Sequence, residues 1–515
     1  MWGYFETVCG LAALLVGLYY YLTANFNFWE ERGVKGPKPV PLLGNFADII
    51  FQRTSIGDYL KKIYDAYPGE PMLGIYVRTT PLLILNHPDL IKDVLIKDFS
   101  NFANRGIPMH EKAEPLSINL LALEPKRWRP LRSKLSPVFT SGKLKDMFAM
   151  ILDCSENLEK HLEKVVAKDE PVDIRDLSAK FTTDVIGTCA FGIEINALDQ
   201  EDNKFREMGR QIFKPTGLGV VRARLRQAAP GLYDLIGPFL PGRDVSAFFI
   251  ALVKDSIKFR KENNIVRNDF IDTLVDLHDH PEKLGDMGVT IPLLASQAFL
   301  FFAAGFETSS TTISNALYEL AMHQDMQDKL RNEIRETFEK NNGDLQYNTI
   351  KEMKYLDMIF RETLRKYPPA TFLSRKAMED YTFEGTKVSI PKDLRLWIPV
   401  YGMHHDPKLY PDPEKFDPNR FTEEQVAKRH PMTYLPFGDG PRNCIGARFA
   451  VYQTKIGLIK VLHHYRFPLA NLSLPKQGHF PGHLMSLPKM YVCFAEIFKK
   501  LLWLIMSKDC CRRNF

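Results

Sequence analysis

The segment PFGDGPRNCIGARFA, Pro436 to Ala450, constrains this chain more than any other. It sets one cysteine, Cys444, among Gly438, Gly440 and Gly446, with Arg442 two residues before it and an apolar helical run directly after. A lone cysteine in a large chain is usually a small buried hydrophobe, but this setting calls for more. Glycines let the backbone come close to something flat and bulky. Arg442 and the positive end of the following helix both favour a thiolate. Such a thiolate could be a nucleophile, a zinc ligand or a haem ligand. A structural zinc site needs about four protein ligands. No second cysteine lies nearby, and His404 and His405 have no matching partner spacing. A nucleophile would need a histidine base, a requirement that spacing alone leaves open.

The chain of 515 residues, 45% apolar, is long enough for a large core. No Gly/Ser-rich or Pro-rich linker follows residue 45, so one large domain is expected. The net charge of +6 is mild, and no basic cluster is interleaved with aromatics, so nucleic acid is not an expected partner. Seven cysteines without paired spacing make a poor disulfide framework and fit a reducing compartment. From Thr7 to Trp29, 23 residues pass without a charge, enough to span a bilayer core. The start carries Glu6 and no basic residue, which favours a retained anchor over a cleaved leader. The tyrosines and Trp29 are expected at the membrane interface, and Arg32, Lys35 and Lys38 should keep the body cytoplasmic. The expected organisation is an anchor (1–29), a stiff proline-rich hinge (30–45), a catalytic body (46–498) and an apolar, basic tail (499–515).

Apolar steps of three and four residues predict helices in LKDMFAMILDCSENLEKHLEKVV, SAKFTTDVIGTCAFG and SQAFLFFAAGFETSSTTISNALYELAMH. A β-hairpin is expected over Met72 to His87, a short β region in DYTFEGTKVSIPKDLRLWIPVYGMH, and a last helix from near Ala447. The fold class is mainly α with a small β portion. Phe213 to Phe249 reads either as a loop pair dipping into a bilayer or as a mobile surface loop.

Phe437-x-x-Gly440-x-Arg442-x-Cys444-x-Gly446 resembles the haem-binding loop of the cytochrome P450 family at every signature position. The resemblance runs from the anchor to about Pro468 and is strongest to the microsomal insect enzymes of family 6. It implies a cytochrome P450 fold, a haem b with Cys444 as axial thiolate, and Arg442 paired with a haem propionate. Trp128 and Arg132, four apart on one helical face, and Arg375 would also hold propionates. Glu362-x-x-Arg365, with Arg420 from FDPNRF, would form a buried structural triad behind the haem; Asn419 stands where the family often has Glu. In Ala304-Gly305-Phe306-Glu307-Thr308, Gly305 would make room for oxygen, Thr308 would order water and serve oxygen activation, and Glu307 would belong to a proton relay.

The activity so implied is a membrane-bound monooxygenase of the endoplasmic reticulum, its catalytic domain facing the cytoplasm. Electrons would come from NADPH through a flavoprotein reductase, with cytochrome b5 as a further partner. Lys126, Arg127, Arg129 and Lys134 would form the docking face. The pocket would be walled by the Asn104 to Leu121 loop, by Phe301, Phe302 and Ala304, and by Ala370 to Leu373, including Phe372 and Leu373. An apolar wall predicts neutral lipophilic substrates, such as plant allelochemicals, insecticides or endogenous terpenoids. The rival readings are an oxygen-independent haem-thiolate isomerase or dehydratase, a non-catalytic haem-binding protein, and a cysteine hydrolase. After Pro468 a β-hairpin is expected to return to the pocket, then a divergent tail in which Cys510 and Cys511 are either acylated or plain thiols.

Overall fold

The protein is described here by a computed structural model. It describes residues 2–168, 172–200, 203–213 and 217–468, and beyond these the short strands Tyr491–Val492 and Ala495–Glu496. The expected tail at 499–515, Cys510, Cys511 and most of the expected last hairpin lie outside the described residues.

A 32-residue helix, Ile291–Met322, runs through the middle of the body. Thr290 caps it by accepting from Leu293 N, and Pro292 sits in its first turn, where a missing N–H costs nothing. By length and composition it could cross a membrane. Its apolar side chains are instead buried against the helices Ile174–Ile186, Asp244–Glu262 and Ala447–His464. Ser141–Val166 packs on the last of these and completes the helical mass. All three predicted helical runs are present, and the last helix starts at Ala447.

The expected hairpin is Met72–Val77 paired antiparallel with Thr80–Leu85. Arg395–Ile398 adds in parallel and Leu373–Lys376 antiparallel, giving a four-stranded sheet. Its faces follow the two-residue period of a strand. Leu83 and Leu85 enter one core with Leu396, while Leu73, Ile75, Leu82 and Ile84 enter another beneath the helix Ile56–Ala66.

One expectation near the N-terminus is corrected. The anchor helix is Trp2–Thr23, exposed and apolar apart from Glu6 and two threonines. Trp29, expected at the membrane interface, is 3% exposed within the body. Its Nε1 donates to Ile75 O at 3.1 Å, and its ring fills the place where a Cβ of Gly74 would stand. The proline-rich segment is tied to the body. Gly74 N donates to Lys35 O at 2.8 Å and Asn45 N to Tyr76 O at 2.9 Å, so the connector lies along the edge of the first strand.

The described residues of the 213–249 segment are largely helical rather than irregular loop. It contains the helices Gly217–Ala228 and Pro230–Ile236, and the start of Asp244–Glu262. Arg222 braces it internally, donating to Leu240 O at 2.8 Å, and holds it to the rest by donating to Ala113 O at 3.1 Å.

Candidate functional site

The cysteine loop turns on two left-handed glycines, Gly438 (φ 65°) and Gly440 (φ 72°). A Cβ on Gly440 would fall 1.9 Å from Leu95 O, so this glycine is required both by its φ and by the backbone against it. The close approach is to protein rather than to a ligand. Cys444 N donates to Phe437 O at 2.9 Å and closes the loop. Gly446 caps the helix Ala447–His464, and its N–H is directed at the cysteine sulfur. The Cys444 side chain has accessible surface, yet burial among the surrounding groups raises its thiol pKa. It therefore borders an enclosed space. The Gly446 N–H, Arg105 and Arg132 pull the other way, toward thiolate.

Around that space stand four arginines. Arg442 is 2% exposed, with its guanidinium 4.5 Å from the centre of the Trp128 ring. Arg375 is equally buried and donates to Ser374 O at 2.9 Å. Burial, then the neighbouring Arg105, hold Arg375 and Arg442 down to about 9, and burial holds Arg105 down to about 10. Arg375 Nε and Arg442 Nε and Nη1 are buried without a hydrogen-bond partner among the described residues. Buried cations need anions. A dianionic, planar group between these arginines and Cys444 satisfies both donor sets, and haem with its two propionates has that chemistry. Arg132 reaches the same loop, donating to Asn443 O at 3.2 Å and to Asn443 Oδ1 at 3.0 Å.

Behind the loop lies the expected triad. Glu362 and Arg365 are fully buried and bidentate, at 2.7 and 2.8 Å. Arg365 also donates to His404 O at 2.9 Å and Pro413 O at 2.8 Å, and Glu362 accepts from Asp417 N at 2.9 Å. Arg420 Nε approaches Glu362 at 3.5 Å, a charge contact rather than a hydrogen bond. His404 then links the triad to the loop: its Nε2 accepts from Leu435 N at 3.1 Å, and its ring stacks on Tyr434.

On the central helix the middle turns are partly open. Ala304 is exposed although the residues before and after this stretch are buried, and Leu300 and Thr308, four residues either side, are partly exposed. This face borders an interior space. Thr308 Oγ1 donates to Ala304 O at 2.6 Å. Glu307 is turned aside: its Oε1 accepts from Arg175 Nη2 at 3.1 Å, on the helix Ile174–Ile186. A Cβ on Gly305 would lie 2.7 Å from Ile186 Cδ1. Gly305 thus serves close helix packing, and the opening belongs to Ala304.

The cytochrome P450 family model matches residues 34–494. This chain belongs to the cytochrome P450 family. The P450 is 41% identical to probable cytochrome P450 6a14 of Drosophila melanogaster, over 90% of this chain and 93% of that one. It is 40% identical to cytochrome P450 6A1 of Musca domestica over 94% and 96%, and 39% identical to cytochrome P450 6k1 of Blattella germanica over 88% and 90%. The family generally comprises monooxygenases that use haem bound through a cysteine thiolate.

Within this P450 three expected placements change. Phe301 stacks on Phe270 with ring centres 4.2 Å apart, and Phe302 sits among Phe191, Phe205, Phe249 and Phe306. Both are core, and Leu300 takes the open face. Phe372 packs on Trp397 at 4.5 Å, while Leu373, on the opposite side of its strand, lies beside Gly438 of the cysteine loop. Of the basic face, Lys126, Arg129 and Lys134 are exposed, but Arg127 is held by Glu111 and Glu124 at 2.8 and 2.7 Å. Arg105, Arg175 and His404 were not singled out as site residues in the sequence. Each stands in ordinary loop or helix context, and only the fold brings it to the site.

Proposed function

We propose that this P450 is a monooxygenase of the endoplasmic reticulum membrane, its body facing the cytoplasm. It inserts one oxygen atom of O2 into neutral lipophilic small molecules, with electrons from NADPH through a flavoprotein reductase. The observation that carries the reading is the open Leu300–Ala304–Thr308 face in an otherwise buried helix, together with a cysteine and buried arginine nitrogens that lack a partner among the described residues.

Cys444 would ligate the haem iron, and Arg105, Arg132, Arg375 and Arg442 with Trp128 would hold its propionates. Haem, when bound, supplies oxygen activation and transfer. The chain does the rest. Leu300, Ala304 and Leu373 offer apolar wall that orients a substrate by surface burial. Thr308 Oγ1 holds a proton that it now donates to Ala304 O, and it can present that proton to the open face by rotating. The buried Glu307 carboxyl group has its cation partner in Arg175, at 3.1 Å. Release from Arg175 would let its Oε1 carry protons inward.

A lipid-facing entry fits the exposed apolar set. Val221, Leu232, Leu235 and Phe239 are 58%, 49%, 69% and 87% exposed, and Leu42 and Phe51 are 60% and 58% exposed. Arg224 Nη2 donates to Ile50 O at 2.8 Å, which places the two groups on one side of the body. Lys126, Arg129 and Lys134 would meet an acidic reductase, and cytochrome b5 could share that surface.

The test is turnover with purified reductase, NADPH and 18O2 over a panel of neutral lipophiles and matched carboxylates. One labelled oxygen per product, with neutral compounds preferred, is the expected result. Products lacking the label would replace this reading with an isomerase or dehydratase.

A further inference from the structure

Far from the haem site, at the other end of the helix that begins behind Cys444, three ligand-type side chains converge. His463 and His464 close the helix Ala447–His464, and Glu159 comes from Ser141–Val166. At 1.5 Å per residue, the 18 residues of that helix put this cluster about 27 Å from its start. We propose that Glu159, His463 and His464 form a binding site for a borderline divalent cation, with Zn2+ as the best fit.

The donor atoms of the three residues lie within 4.8 Å of one another. His464 Nε2 is 3.2 Å from His463 Nδ1 and 3.1 Å from Glu159 Oε1. Ligands about 2.0–2.1 Å from a tetrahedral zinc stand roughly 3.3 Å apart, so two of the three edges are already close to that length. Hydrogen bonding alone serves the cluster poorly. If His464 Nε2 carries a hydrogen, that one hydrogen must fork between a ring nitrogen and a carboxylate oxygen. If it carries none, it can accept from His463 Nδ1, but its lone pair then faces Glu159 Oε1. A cation between the three atoms serves all of them at once.

The surroundings fix the ligands. The His463 ring lies parallel to Phe338, centres 4.1 Å apart and 10° from coplanar, so the plane of its ring is set. Lys460 Nζ takes the other carboxylate oxygen, Glu159 Oε2, at 2.8 Å and orients Oε1 toward the histidines. A surface recess of about 540 Å3 opens onto the cluster, and the exposed Glu339 on its rim can supply a fourth ligand or hold the water that does. Two imidazoles and a carboxylate favour Zn2+ over the all-oxygen preference of Ca2+ or Mg2+. Bound there, the ion would clamp the 141–166 helix to the helix that carries the cysteine loop.

The experiment uses the full-length haem-loaded protein in detergent, stripped with a chelator and dialysed against micromolar Zn2+. Zinc per haem is measured by elemental analysis, and its ligands by X-ray absorption at the zinc edge. Wild type should hold one zinc with imidazole and oxygen ligands. His463→Gln and His464→Gln should each weaken it by about 10- to 100-fold, while the exposed His87→Gln leaves it unchanged. An intact carbon monoxide difference spectrum certifies each variant's fold, and the half-exposed His464 keeps the test available if the His463 variant does not fold. Zinc held equally by both variants, sulfur in its coordination shell, or no zinc in wild type overturns the proposal.

Discussion

A single methyl group at position 440 has nowhere to go. Gly440 combines φ 72° with a carbonyl oxygen 1.9 Å from where its Cβ would be. Left-handed strain costs about 1–3 kcal/mol and overpacking as much again. Gly440→Ala should therefore express with little haem, seen as a lost carbon monoxide difference band, whereas Gly438→Ala, whose nearest neighbour would be Leu373 at 3.7 Å, should lose less. Thr308 is the second residue whose chemistry can be isolated. Its hydroxyl is free to leave Ala304 O, so Thr308→Ala should still consume NADPH but give peroxide in place of product. The product-to-NADPH ratio should fall about tenfold or more, against the 10²–10⁴ that a positioned proton donor contributes. An unchanged ratio would remove Thr308 from the proposed role. The signature residues of the loop were legible because their chemistry and spacing are local. Phe301 and Phe302 were misplaced because the rotation of a helix is set by its neighbours, here Phe270 on one side and Phe249 on the other.

Among the elements, the short helix Val400–His404 carries a stored acid response. Burial, then His405 and Arg365, lower the His404 pKa from 6.5 to about 3. The folded state thus refuses a proton that the unfolded chain accepts between those values. Stability from this group is whole above pH 6.5 and falls as the pH drops toward 3, with a slope of about 1.4 kcal/mol per unit. His404→Gln can still accept from Leu435 N and does not titrate. Its thermal midpoint should vary less between pH 6.5 and 4 than that of wild type; parallel curves would show that His404 does not carry the response. Glu362 and Arg365 are a different case, since neither has a neutral substitute for its partner. Arg365→Ala should cost about 3–5 kcal/mol by leaving Glu362 buried without its cation, read as haem loss on mild heating. The triad was implied by the family resemblance, since E-x-x-R spacing alone reads as a surface pair, and the histidine that ties it to the cysteine loop lies 39 residues from Arg365 and joins it only through the fold.

At the scale of the whole molecule, helix content, the hairpin and the last helix followed from periodicity, since both patterns are short-range. The course of the 30–45 segment did not, because its hydrogen bonds go to a strand whose edge no local pattern announces. Charge on the face around Lys126, Arg129 and Lys134 acts at this scale too. The double reversal Lys126→Glu with Arg129→Glu should slow the first electron transfer in stopped flow and leave substrate-induced spectra intact. The wild-type rate should fall with salt as the Debye length drops from about 10 Å at 0.1 M to about 3 Å at 1 M. Equal rates in mutant and wild type would dismiss that docking face. The connector laid along the first strand, with Trp29 sunk beneath it, has a consequence for motion. With the Trp2–Thr23 helix in a bilayer, as proposed above, a body fastened this way could not swivel freely, and it would meet other membrane-held proteins by a two-dimensional search in which much of the orientation is settled before collision.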